Sequence, residues 1–200
     1  MTQAAPLKFV APEDAARANF YGLIARLFYA APDPQLIAEL LAGAPLEGTG
    51  ALAVAWRDMI EGCRKAYPKV LEAEHMELFI GTGKAEVTPY LSHYVLRHAN
   101  DNPLVPLRQQ LAAWGIGRRE QISEYEDHVS GICETMRFAI AVQQRTPEEQ
   151  KIFFERFLYG GAAAFCDAVT ASNQARFYRL VARFARAFFD IEKAAFEMVG

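Results

Sequence analysis

The sequence predicts an all-α helical bundle. Apolar residues recur at helical spacing along most of the chain, and no segment sustains a period-two alternation rich in β-branched residues. Proline and glycine also fall where helices of ordinary length would start and stop. The 200 residues are 52% hydrophobic and 22% charged, enough for one substantial core and too apolar for disorder. Residues 1–200 are therefore expected to form a single domain of about seven to eight helices, with one irregular connection at 81–103.

The elements follow in chain order. Pro12 opens a first helix, with Glu13 and Asp14 at the positive end of its dipole and Phe20, Leu23, Ile24, Leu27 and Phe28 on one apolar face. Asp33 and Pro34 read as N-cap and first position of a short second helix that Gly43 ends. A third helix covers about 51–66, and Pro68 opens a fourth that stops at Gly81. Between Gly81 and Pro103 the periodicity fails, leaving a long structured connection with a turn of helix near Ser92. A fifth helix ends at Gly115, and a sixth is expected to start at Ser123, where Ser123 and Glu126 have capping-box spacing. Pro147 opens the seventh, bent at Gly160 and Gly161, and a long amphipathic eighth carries Phe177, Phe184 and Phe188 on its core side.

A net charge of −3 and an isoelectric point near 5.8 give no footprint for nucleic acid or an anionic membrane. No apolar run reaches the roughly 18 to 20 residues of a membrane span, and the N-terminus has no basic region followed by an apolar core. Three cysteines without a CxxC pair, Cys63, Cys133 and Cys166, read as reduced core thiols. Among metal templates, only Glu72 and His75 make a Glu-x-x-His pair, and the second pair of a di-iron bundle is missing. His128 and Cys133 are five apart, about 140° around a helix, so they do not make a zinc pair. No activated nucleophile is marked, and the run Gly81 to Lys84 is not a phosphate loop.

One stretch stands out chemically: EYEDHVSGICETM, Glu124 to Met136, with four acids, a histidine and a cysteine. Read as the start of a helix, it places Glu124, Asp127 and His128 at i, i+3 and i+4 on one face and turns Cys133 inward. Together with LFIGTGKAEVTPYLSHY, Leu78 to Tyr94, it resembles the TorD/DmsD family of redox-enzyme maturation chaperones. The family's Phe-x-Gly and Pro-Tyr-x-Ser-x-Tyr recur here as Phe79 to Gly81 and Pro89 to Tyr94, and its Glu-Pro-x-Asp-His as Glu124 to His128. This chain departs in carrying Thr82 and Tyr125 where the family has proline, and His75 where it often has an aromatic.

The resemblance implies a cytoplasmic, non-enzymatic chaperone without cofactor or metal. Its partner would be the twin-arginine signal peptide and apo-form of a molybdopterin oxidoreductase, of the DMSO/TMAO reductase or formate dehydrogenase type. It would assist cofactor insertion and delay export, as a monomer or a domain-swapped dimer. A nitrate-reductase-type assembly chaperone is the alternative within the family; a metal-dependent helical-bundle enzyme is the alternative outside it. On this reading Leu78, Phe79, Pro89, Tyr90 and Tyr94 line an apolar groove, Glu124, Asp127 and His128 form a polar rim that receives arginine, and Ser92 is a further peptide-binding candidate. His128 bracing the irregular loop is equally consistent with the residues.

Overall fold

Four prolines begin helices in the computed structural model, which describes residues 10–81, 85–96, 102–117 and 124–199. They are Pro12 of α1 (Pro12–Tyr29), Pro34 of α2 (Pro34–Ala42), Pro68 of α4 (Pro68–His75) and Pro147 of α8 (Pro147–Phe153). At that position the missing N–H has no helical partner to lose, and the ring holds φ in the helical range. Asp33 caps α2 as expected, its carboxylate accepting the Leu36 N–H at 2.7 Å. The remaining helices are α3 (Ala51–Arg64), α5 (Ser92–Val95), α6 (Leu104–Ala113), α7 (Val129–Phe138), α9 (Gly160–Ala171) and α10 (Phe177–Glu197). Among the described residues the backbone is helical and connecting, with no β-strand beyond one isolated bridge.

The buried residues form one continuous cluster that draws on α1 to α4 and α6 to α10. α1 lies along α7, burying Tyr21, Ile24 and Phe28 on one side and Ile132, Cys133 and Met136 on the other. α10 packs against both α3 and α9, and its Phe184 meets Phe20 of α1 and Trp56 of α3 ring to ring. All three cysteines are buried and free, as the composition suggested.

Three helices continue into π-helical turns, Met76–Ile80 after α4, Ala139–Gln143 after α7 and Phe154–Tyr159 between α8 and α9. Each widened turn shifts the phase of the residues beyond it. That explains why the stretch from Pro147 to Ala171 reads as one bent helix in the sequence. Gly81, at φ 64°, closes the first of these turns in a conformation that side chains with a Cβ disfavour.

Two buried carboxylates organise the bundle. Glu74 accepts the N–H groups of Arg176 at 2.8 Å, Phe177 at 3.2 Å and Tyr178 at 2.9 Å, so a side chain of α4 caps α10. Glu192 of α10 pairs with Arg17 of α1 at 2.8 and 2.9 Å and accepts the Tyr21 hydroxyl at 2.9 Å. Arg17 also reaches Asp14 at 2.8 Å and Gln150 of α8 at 3.1 Å, tying three helices at one point.

The expected sixth helix is corrected at its start. Ser123 lies outside the described residues, and α7 begins only at Val129. His128 is the N-cap: it is extended (φ −58°, ψ 134°), and its side chain accepts the Ser130 N–H at 3.2 Å. Glu126 holds Arg108 of α6 through two 3.1 Å bonds. The backbone before Val129 is not free to wind into a helix because it is hydrogen-bonded across to the irregular connection.

Candidate functional site

Pro89 to Ser92 and Asp127 to Val129 run antiparallel and form a clasp. The Leu91 N–H donates to the Asp127 carbonyl and the Val129 N–H to the Pro89 carbonyl, each at 2.9 Å, pairing Tyr90 with His128. Side chains close the same junction: the Ser92 hydroxyl donates to Asp127 Oδ2, and the Tyr90 hydroxyl to Glu124 Oε2. The Tyr90 ring meets the His128 ring edge-on at 5.5 Å and the Tyr125 ring at 5.9 Å. Each carboxylate is thus held by a hydroxyl from the other segment.

The two segments that meet are the two that carry the resemblance read from the sequence. Residues 44–190 match the family model described as nitrate reductase delta subunit. The chain belongs to the nitrate reductase delta subunit family. It is also 24% identical to the chaperone protein TorD of Shewanella loihica, over 90% of this chain and 93% of that one. Its fold is that of an Archaeoglobus fulgidus protein whose crystal structure is assigned to redox enzyme maturation. The TM-score is 0.55 at 18% identity, over 94% of this chain and 98% of that one. The TorD-type resemblance therefore holds across nearly the whole chain.

In this delta-subunit family member the nine predicted site residues divide by depth. Leu78 and Phe79, expected in a groove, belong to the core: Leu78 has no exposed surface, and Phe79 packs on Phe28, Phe165 and Tyr178. Pro89 is buried too, and contributes its carbonyl to the clasp. Tyr90, Ser92, Tyr94 and Glu124 are half-buried and keep surface at the junction. Tyr94 donates to the Thr88 carbonyl at 2.8 Å and lies against Phe165, and burial pushes its hydroxyl up to about 12. Asp127 and His128, expected on an exposed rim, are 5% and 6% exposed. Glu124, Asp127 and His128 still come together, but at a bridged loop rather than along a helical face.

Burial holds the His128 imidazole below its ordinary value, against the pull of Glu124 and Asp127; His75 pushes the same way as burial. With Nδ1 accepting from Ser130, the neutral ring carries its proton on Nε2. His75 is not a groove or surface residue. It sits inside the core beside Phe79 and Tyr178, where burial lowers its pKa, while Glu72 points to solvent, so the Glu-x-x-His pair does not share a face. Among the described residues, no group of three or more His, Cys, Asp or Glu could hold a metal ion. Burial also drives the Cys133 thiol far above its usual range, the opposite of what a nucleophile needs. Thr82, Gly83, Lys84 and His98 lie outside the described residues.

Two surface pockets, of about 480 and 520 Å³, lie away from the clasp. One is framed by Leu23, Leu36 and Arg137 among α1, α2 and α7, the other by Leu41, Trp56 and Ile60; neither contains a predicted site residue. No helix among the described residues is long and apolar enough to cross a membrane. Sequence reasoning missed the Glu74 cap and the Arg17 and Glu192 pair, whose partners lie about 100 and 175 residues away. Single buried acids in helical stretches carry no local signal of such distant partners.

Proposed function

We propose that the protein is a cytoplasmic, non-catalytic chaperone that binds the twin-arginine signal peptide and apo-form of a molybdopterin oxidoreductase. It assists cofactor insertion and holds back export. The observation that carries this reading is the clasp, where the two motifs of the TorD/DmsD resemblance are hydrogen-bonded to each other. Membership of the delta-subunit family and the likeness to TorD support the client class.

The chemistry of the junction suits such a ligand. Glu124 is held by a neutral phenol, and an incoming guanidinium offers two charge-assisted bonds in place of that one. Tyr90, Tyr94 and the exposed Tyr125 supply aromatic surface for the apolar part of the leader. Leu78, Phe79, Pro89, Asp127 and His128 support this surface from behind, while Tyr90, Ser92, Tyr94 and Glu124 meet the peptide.

Calorimetric titration with a synthetic twin-arginine peptide tests the proposal. Asp127→Ala combined with His128→Ala is expected to weaken binding while the circular dichroism stays helical. Unchanged affinity in that variant would remove the clasp from the site. Membership of the nitrate reductase delta subunit family favours a second client, a nitrate reductase that the chaperone accompanies. Affinity capture from native lysate with mass spectrometry distinguishes this from a DMSO/TMAO reductase or formate dehydrogenase client.

A further inference from the structure

The glycine pair in the middle of the Pro147 to Ala171 stretch does more than permit a bend. The two glycines face different surroundings. A Cβ built on Gly161 would lie 2.7 Å from the Leu91 carbonyl oxygen and 2.8 Å from the Leu91 Cβ, contacts that real Cβ atoms do not make. A Cβ on Gly160 would meet only the Val95 Cγ1 at 3.7 Å, an ordinary contact. The atom that Gly161 admits is backbone, so it cannot swing aside as a flexible side-chain end would.

Leu91 is also the residue whose N–H reaches the Asp127 carbonyl in the clasp. A second tie holds the same segment farther along α9: the Ser172 hydroxyl, just past the last turn, donates to Glu86 Oε1 at 2.5 Å. Between these ties, Tyr94 packs on Phe165, one turn beyond Gly161. The connection therefore runs along α9 from its C-terminal end to its N-terminal end, over roughly 16 Å at 1.5 Å per residue. α9 acts as a rail, and Gly161 is the notch that seats the segment at the clasp end.

We infer that Gly161 is a positioning residue for the client-binding surface, setting where Tyr90 and Ser92 stand relative to Glu124 and Asp127. The consequence for peptide binding rests on the function proposed above; the consequence for the clasp does not. Gly161→Ala and Gly160→Ala form a matched pair, since both place alanine in the same helix with the same propensity gain. Native-state hydrogen exchange reads the clasp through the Leu91 and Val129 amides, and a distant control through the Arg176 and Tyr178 amides held by Glu74.

Gly161→Ala is expected to speed exchange at Leu91 and Val129 at least about tenfold, to leave Arg176 and Tyr178 protected, and to weaken the twin-arginine peptide several-fold; about 1.4 kcal/mol corresponds to tenfold. Gly160→Ala is expected to change neither. Should Gly161→Ala fail to fold, Glu86→Ala loosens the other end of the rail from an exposed position, and faster exchange at Val87, with weaker peptide binding, is expected. Wild-type exchange at Leu91 and Val129 in Gly161→Ala, or at Val87 in Glu86→Ala, overturns the positioning role. If the wild-type protein binds no twin-arginine peptide, the proposed function fails, and the exchange data alone decide the role of Gly161.

Discussion

Burial lowers the pKa of both His128 and His75, favouring their neutral forms, and that fixes the direction of their pH dependence. Both have folded pKa values below the ordinary 6.5, so between the folded and ordinary values the unfolded chain binds more protons. Their contribution to stability is fully present above pH 6.5 and is lost as pH falls from 6.5 through the folded values. Urea unfolding between pH 5 and 8 should show stability falling on the acid side of about 6.5. His75→Phe, which keeps an aromatic beside Phe79 and Tyr178, should flatten that slope. An unchanged slope would mean that His75 does not titrate in that range. The residues of the junction were legible in the sequence as a cluster, but their depth was not. Spacing places Asp127 and His128 near each other without saying that the Ser92 hydroxyl and the Tyr90 backbone cover them.

At the scale of elements, helix starts marked by proline and Asp33 were readable, because each signal acts within one turn. Starts set from a distance were not. α10 begins where Glu74 receives its first amides, and α7 begins where the clasp releases the chain. The three π-helical turns were equally silent, since they alter phase without a breaker residue of their own. Glu74→Ala should therefore destabilise the protein by about 2 kcal/mol, because it leaves the Arg176 amide and the first two amides of α10 without their acceptor. Denaturant titration gives the number, and hydrogen exchange should place the loss at the first turn of α10. A loss below about 0.5 kcal/mol would show that water or another acceptor replaces the carboxylate.

For the whole molecule, the all-α fold was predictable because helical periodicity covers most of the chain, and its arrangement was not, because long-range polar ties decide it. The Arg17 and Glu192 pair joins the first and last helices across 175 residues. Glu192→Gln, leaving the mostly buried Arg17 guanidinium with only the half-exposed Asp14 carboxylate as charge partner, should cost on the order of 3 kcal/mol. The double replacement Arg17→Met with Glu192→Leu should recover most of that loss in thermal unfolding. Failure of the double variant to recover would mean that Tyr21 and Gln150 depend on the pair as much as the two ions depend on each other.

On the proposed function, the clasp receives a twin-arginine leader through Glu124. Isothermal titration of the peptide, and of a copy with both arginines changed to lysine, against wild-type protein and Glu124→Gln tests it most directly. Saturable one-to-one binding is expected, falling about tenfold or more in Glu124→Gln, as for losing a bond to a charged group of about 1.5 to 3 kcal/mol. The lysine peptide should bind more weakly than the arginine peptide to wild type, and the difference should shrink in the variant. Equal affinity of the arginine peptide for wild type and Glu124→Gln would remove Glu124 as the arginine acceptor.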